Sequence, residues 1–348
     1  MTAPPPFVWS EECLRHDPAA EIWVGVRTPA TEVPARALAV REALLEGGAR
    51  EIAAQAHDDS ALLAVHDPAL VGFLRAIWDE WAAASLPSDR VVPYVFARPE
   101  LTGGRAPATP GAVWARPGLF AYDTMTLIGP GTWEAARAAV DVALTAVDLV
   151  AEGEPLVYAC CRPPGHHVTR SLYGGSCYLN NTAVAAAALQ ARLGAPVAVV
   201  DVDAHHGNGT QELFLGRDDV RTASVHVDPG AGWFPHFLGF ESENDEANLN
   251  VPLAPGSGDD DWLAAVRRAA DFASPAAALV VALGVDAAAG DPESPLEVSE
   301  AGYREAGRLL GALGLPTVVV QEGGYDLATI GPLVLAALAG LEAGRTGR

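Results

Sequence analysis

The sequence predicts a single-domain α/β fold of three layers, with a central, mostly parallel sheet, helices on both faces and an active site at the carboxyl ends of the strands. Three observations lead there. Apolar, β-branched runs alternate with helical patterns from about residue 132 onward. Four of those runs stop abruptly at residues that carry chemistry, and no Pro/Ser/Gly linker divides them. In an open parallel sheet the carboxyl ends of the strands share one edge, so residues far apart in sequence meet in one crevice.

Taken in order, residues 1–35 are Pro-punctuated and expected to wrap the surface. Pro34 stands just inside the start of a helix over 35–45, which Gly47-Gly48 stops. A second helix is expected over 68–84, where Leu70, Phe73, Leu74, Ile77, Trp78 and Trp81 recur at helical spacing and read as core-facing. Between residues 86 and 131 the pattern dissolves into Pro- and Gly-rich sequence holding Trp114, Phe120, Tyr122 and Asp123. A loop of that length is usually functional or disordered, and its aromatics and one placed acid point to a lid or wall of the substrate entrance. Thr132 is expected to cap a helix running from Trp133 to about Ala151.

The alternation then begins. The run 156–161 leads into Arg162-Pro163-Pro164-Gly165-His166-His167, and 195–200 leads into Asp201-Val202-Asp203-Ala204-His205-His206-Gly207-Asn208-Gly209. The run 278–285 ends at Asp286, and 317–322 ends at Gly323-Gly324-Tyr325. Helices are expected over 180–193, 259–272, 299–313 and 326–341.

Composition narrows the function. Lys+Arg 22 against Asp+Glu 44 gives a formal charge of −22, which argues against a nucleic-acid surface. It suits a small cationic substrate, or simply a soluble acidic surface. The four cysteines include the adjacent Cys160 and Cys161, which is no disulfide framework, so a reducing cytoplasm is expected. The N-terminus lacks a basic region followed by an apolar stretch, and no uncharged apolar run reaches about 18 residues; neither secretion nor membrane contact is expected.

The chemistry concentrates after the strands. Carboxylates at 201 and 203 point to one side of a strand, and the switch to His205-His206-Gly207 turns the chain back toward that side. Asp203, His205 and Asp286 are therefore candidates to hold one divalent metal. Three protein ligands with open coordination are a catalytic arrangement, whereas structural zinc sites are closed, mostly by Cys. The mixed oxygen and nitrogen set suits zinc, iron(II) or cobalt(II). Such a metal acidifies bound water and polarises a carbonyl, and a base is still needed. His166 and His167 are the candidates, with Asp201 available to orient one of them and Asn208 the other. Tyr325, after two glycines that let backbone come close, is placed to donate its hydroxyl to an oxyanion.

Together the segments 162–167, Cys177-Tyr178-Leu179-Asn180-Asn181, 201–210, Gly284-Val285-Asp286 and Glu322-Gly323-Gly324-Tyr325 resemble the zinc-dependent histone deacetylase family of the arginase/deacetylase superfamily. Pro34-Ala35-Arg36, Val65-His66-Asp67, Asp123-Thr124 and Gly131-Thr132-Trp133-Glu134 look like its bacterial acetylpolyamine amidohydrolase branch. The resemblance covers nearly the whole chain. It implies Asp203, His205 and Asp286 as zinc ligands, His167 as general acid/base, His166 as its electrostatic companion and Tyr325 as the carbonyl-polarising residue. It also implies a structural potassium ion held by Asp201, Ser224 and the main-chain oxygens of Asp203, His205 and Val225, and a homodimer whose long loops narrow each other's entrance.

By the same resemblance Asp123 is an acid at the pocket rim that holds substrate; read alone, it is a loop-capping Asp. Gly175, Ser176 and Phe234 are expected to line the acyl channel. Ser176 stands where the family usually has an aromatic wall before Cys177, which implies a channel wider or more polar on that side, with Phe234 as the opposite wall. The acidic run Glu241-Ser242-Glu243-Asn244-Asp245-Glu246 replaces a Gly-rich stretch of the branch and either faces the entrance, attracting a polyamine, or is a solvated loop.

The implied activity is removal of an acetyl or similar acyl group from a small cationic amine, with acetylated polyamines as substrate class and acyl-lysine in protein as the alternative. An arginase-like ureohydrolase is disfavoured because Gly207 and Ala288 stand where second-metal acids are needed. A binding module without catalysis would be expected to lack the histidine pair or Tyr325.

Overall fold

Apolar runs without polar alternation suit strands covered on both faces, and in the computed structural model, which describes residues 4–347, residues 156–161, 197–201, 278–285 and 317–322 are all buried. The strands are β1 (Phe7–Trp9), β2 (Glu21–Trp23), β3 (Val26–Thr28), β4 (Glu51–Ala53), β5 (Leu156–Ala159), β6 (Val197–Asp201), β7 (Val220–Val227), β8 (Asn248–Leu253), β9 (Ala278–Leu283) and β10 (Thr317–Gln321). One eight-stranded sheet has the order β4-β1-β5-β10-β9-β6-β7-β8 and is parallel at every pairing, while β2 and β3 form a separate antiparallel hairpin.

The helices are α1 (Pro34–Glu46), α2 (Ser60–Val65), α3 (Pro68–Ala83), α4 (Pro99–Thr102), α5 (Pro117–Phe120), α6 (Thr132–Ala151), α7 (Asn181–Leu193), α8 (Asn208–Phe214), α9 (Asp259–Ala273), α10 (Glu300–Gly311) and α11 (Ile330–Thr346). Leu279, Val281 and Leu283 of β9 face a core shared with α1, α9, α10 and α11, whereas Ala278 and Val280 face one shared with α3, α6 and α7. Each fully buried Leu or Val contributes about 1.5–3 kcal/mol by leaving water. The expected three-layer fold is present.

Several details differ from expectation. The N-terminal residues do more than wrap the surface: β1 pairs with both β4 and β5, and Phe7, Val8 and Cys13 are fully buried. Three-residue strands are too short to show a period in sequence. Thr132 is the first residue of α6; Gly131, at φ 79°, occupies the cap position. The Thr132 hydroxyl accepts from Gly129 N–H at 2.9 Å and lies 3.0 Å from His16 Nδ1, so a tertiary contact claims it. The last helix starts at Ile330, because the Asp326 carboxylate accepts from Ala328 N–H and the Thr329 hydroxyl and folds those residues into a turn first. The 86–131 stretch contains α4 and α5 and is closed by a bridge between Val91 and Ile128.

Candidate active site

Sheet order decides what meets. β5, β10, β9 and β6 are consecutive neighbours, so the segments that follow them, carrying His166 and His167, Tyr325, Asp286, and Asp203 with His205, arrive at one edge. One donor atom from each of Asp203, His205 and Asp286 lies within 4.8 Å of the others. His205 Nδ1 stands 3.2 Å from Asp203 Oδ1 and 3.1 Å from Asp286 Oδ2. The carboxylates are aimed by backbone: Asp203 accepts from His205 N–H at 2.8 Å and Gly323 N–H at 2.7 Å, and Asp286 from Ala204 N–H at 2.8 Å. Gly323 permits this approach, since a Cβ there would fall 2.2 Å from Asp286 Oδ2.

Burial, and then the neighbouring Asp203 charge, raise Asp286 to about 7. Two buried carboxylates and an imidazole converging this closely fit a divalent cation, which relieves their repulsion. Among the described residues this is the only cluster of three or more metal-ligating side chains.

The histidine pair is asymmetric. His166 Nδ1 lies 2.9 Å from Asp201 Oδ2, and His167 Nδ1 lies 2.7 Å from Asn208 Oδ1, with ring centroids 4.0 Å apart. Burial opposes charge on both. For His166 the Asp201 and Asp203 carboxylates overcome it and lift the imidazole to about 10. For His167 burial is reinforced by the charge on the adjacent His166, and the ring is held well below its usual value.

Tyr325, Gly175, Ser176, His167, His205 and Phe234 all line one pocket of about 330 Å³. Phe234 stands edge-on to His167 with centroids 4.7 Å apart. Gly175, at φ 61°, lets the loop pass so near that a Cβ would come 2.4 Å from the His167 ring. Ser176 lines the same pocket, also at positive φ.

Asp123 stands outside that lining. Its carboxylate accepts from Thr126 N–H and hydroxyl and, at 2.6 Å, from Gly175 N–H, so it holds the loop that forms the wall. Of the 86–131 stretch only Met125 is among the lining residues. The acidic run 241–246 is also absent from the lining. Glu243 accepts from Gly239 and Phe240 N–H, Asp245 from Ala247 and Asn248 N–H, and Glu241 pairs with Arg268, which is a structural use of the charges.

Sequence reasoning missed the other walls. Glu21, Trp23, Thr28, Pro29 and Thr31 come from the N-terminal hairpin region, Trp233 and His236 flank Phe234, and Glu293 comes from the turn after β9. Burial, followed by the nearby Glu293 charge, raises the Glu21 carboxyl to about 7. No local pattern marks Glu21 or Glu293 as pocket residues. Arg36, quoted above only as part of a motif, is buried with its guanidinium carbon 4.4 Å from the Tyr325 ring centroid; it also donates to Glu322 O and Gly324 O. Glu32 bridges Arg36 to Arg162.

The model of the histone deacetylase domain matches residues 30–341. The chain belongs to the histone deacetylase family. As a member of that family it is a metal-dependent hydrolytic enzyme. It is 36% identical over 344 residues to the acetylpolyamine amidohydrolase of Mycoplana ramosa, covering 96% of this chain and 98% of that one. It is 38% identical to acetylpolyamine amidohydrolase 1 of Pseudomonas aeruginosa, again over 96% and 98% of the two chains. In structure it matches the acetylpolyamine aminohydrolase of Burkholderia pseudomallei with a TM-score of 0.90 at 34% identity, over 97% of this chain and 98% of that one.

Proposed function

We propose that this deacetylase removes an acetyl or similarly short acyl group from a small cationic amine, with acetylated polyamines as the substrate class. The observation that carries the reading is that Glu21 and Glu293 line the same pocket as His167, His205 and Tyr325, with Asp203 and Asp286 clustered on His205. Two acids suit a substrate that brings its own positive charge. The full-length likeness to proteins named acetylpolyamine amidohydrolases supports the same class.

Asp203, His205 and Asp286 would hold zinc, with iron(II) or cobalt(II) as other fits to the donor set; when bound, it acidifies water and polarises the carbonyl. Asn208 Oδ1 accepts the Nδ1 proton of His167, which leaves Nε2 free to take a proton from the attacking water and return it to the departing nitrogen. His166, held by Asp201, remains a fixed positive neighbour that keeps His167 neutral between these transfers. Tyr325 donates its hydroxyl to the carbonyl oxygen as charge builds there, and the Arg36 cation over its ring favours that donation.

A potassium ion fits Asp201, Ser224 and the main-chain oxygens of Asp203, His205 and Val225. In support, Asp201 and Ser224 are in register on β6 and β7, and among the described residues no backbone N–H donates to the main-chain oxygens of Asp203 or His205. A homodimer is supported by exposed apolar side chains on the hairpin and the long loop, including Trp23, Val26, Tyr94, Leu101 and Trp114. The four buried free cysteines suit a reducing cytoplasm. No helix is long and apolar enough to cross a membrane.

The deciding experiment is kcat/KM of the zinc-loaded enzyme on acetylated putrescine, cadaverine and spermidine beside acetyl-lysine peptides. A preference for the small polyamines is expected; a preference for peptides would move the assignment to a protein deacylase.

A further inference from the structure

The Gly323-Gly324 segment offers no side chain to hold the turn that carries Tyr325, so its geometry is imposed from outside. Arg36 takes the carbonyls, donating from Nη2 to Glu322 O at 2.7 Å and from Nε to Gly324 O at 2.5 Å. The N–H group of Gly323 goes to Asp203, while those of Tyr325 and Asp326 go to Asp291. Its Oδ2 accepts from Tyr325 N–H at 2.8 Å and Asp326 N–H at 3.3 Å. Its other oxygen, Oδ1, accepts from Glu293 N–H at 3.0 Å, closing a turn that starts just after Gly290 at φ 89°. Asp291 is buried and absent from the pocket lining, whereas Tyr325 and Glu293 both line it.

We infer that Asp291 is a positioning residue that sets Tyr325 and Glu293 with one carboxylate, coupling the oxyanion donor to the group that receives the substrate's distal cation. This rests on the roles given above to Tyr325 and to the Glu21 and Glu293 pair. The physical reason is acceptor count. A carboxylate offers two oxygens, one for each loop, and hydrogen bonds to a charged acceptor are roughly twice as strong as neutral ones.

Asp291→Asn tests this because an amide keeps a single acceptor oxygen. If the oxygen stays with Tyr325, the amide NH₂ opposes Glu293 N–H and the preference for a cationic acetylated amine over a neutral one of equal length falls. If it stays with Glu293, kcat falls for both substrates. One of these losses is expected at roughly 10-fold, as for a lost hydrogen bond to a charged group. Asp291→Ala should show both. In a Tyr325→Phe background the kcat factor should vanish, since Asp291 then has no hydroxyl to position.

A readout independent of turnover is amide hydrogen exchange in the metal-free protein. Exchange in the Asn variant should quicken across 323–328 if kcat is what falls, or at 293–294 if the cation preference is what falls, while distant segments keep their rates. Unchanged kcat and unchanged cation preference in Asp291→Asn would overturn the inference. So would a kcat factor that persists undiminished in the Tyr325→Phe background, or exchange unchanged at both 323–328 and 293–294. Should Asp291→Ala fail to fold, the Asn variant still decides. A fully active Tyr325→Phe would overturn the reading of the site instead, while the exchange measurement continues to report on the tether.

Discussion

At the floor of the pocket, His167, His205 and Tyr325, with His166, Asp203 and Asp286 packed behind them, follow the ends of four neighbouring strands, whereas its walls take Glu21 and Trp23 from a hairpin, Met125 from the long loop, Phe234 from the segment after β7 and Glu293 from a turn after β9. On the floor, the Asp203 and Asp286 carboxylates are aimed by backbone N–H groups and each imidazole of the tandem pair has a named partner. On the walls, Ser176 and Gly175 sit at positive φ and are held through Asp123 and Thr126. The difference separates chemistry from choice of substrate: changes to the floor should act on metal content and kcat, and changes to the walls on KM and selectivity.

The largest expected effect is on the floor. Asp286→Ala should lose bound metal, read by elemental analysis, and activity with it; unchanged stoichiometry would mean that the ligand set is wrong. His167→Ala and Tyr325→Phe should lower kcat by roughly 10²–10⁴-fold, the scale of lost acid/base or oxyanion assistance, with metal content intact. A fully active variant removes that residue from the mechanism.

The walls should respond more mildly. Glu21→Gln and Glu293→Gln should each raise KM for a cationic acetylated amine about 10-fold, as for loss of a charged hydrogen-bonding partner, and leave a neutral amide unaffected. Equal losses on both substrates would place these acids in the chemistry and erase the distinction between floor and wall.

Acidity sharpens the comparison further. Because Glu21 is raised to about 7, first by burial and then by Glu293, it is largely protonated below that pH and charged above it. The ratio of kcat/KM for cationic over neutral substrate should therefore rise with pH through about 7, and Glu21→Gln should flatten the rise. A ratio independent of pH would show that Glu21 carries no substrate charge. The smallest effect is expected outside the pocket. Glu241→Lys, which breaks an exposed pair with Arg268, should leave kcat/KM for a cationic substrate unchanged at low ionic strength, and a loss there would restore long-range steering by the acidic run.

The convergence of the candidate site was legible because its signals are local. Asp203 and His205 follow one strand, Asp286 another, and a strand that ends in a carboxylate or a histidine shows itself as an apolar run broken by an ionisable residue. His166, His167 and Tyr325 were found in the same way, and the parallel arrangement then made their convergence predictable. The branch of the family was legible from motif wording at Asp123 and at 131–134, although Asp123 spends its carboxylate on Gly175 and Thr126.

What only the tertiary structure decided depends on partners distant in sequence. That β1 enters the sheet beside β5, that Thr132 serves His16, that Glu21 and Glu293 line one pocket and that Asp291 reaches Tyr325 depend on residues tens to hundreds of positions apart. A single polar side chain in a turn has the same local signature whether it faces water, caps a helix or lines a pocket. Hydrophobic periodicity and strand-end chemistry are properties of a short stretch of chain and so reach the floor of the site; the walls are set by which loops the packed sheet brings together.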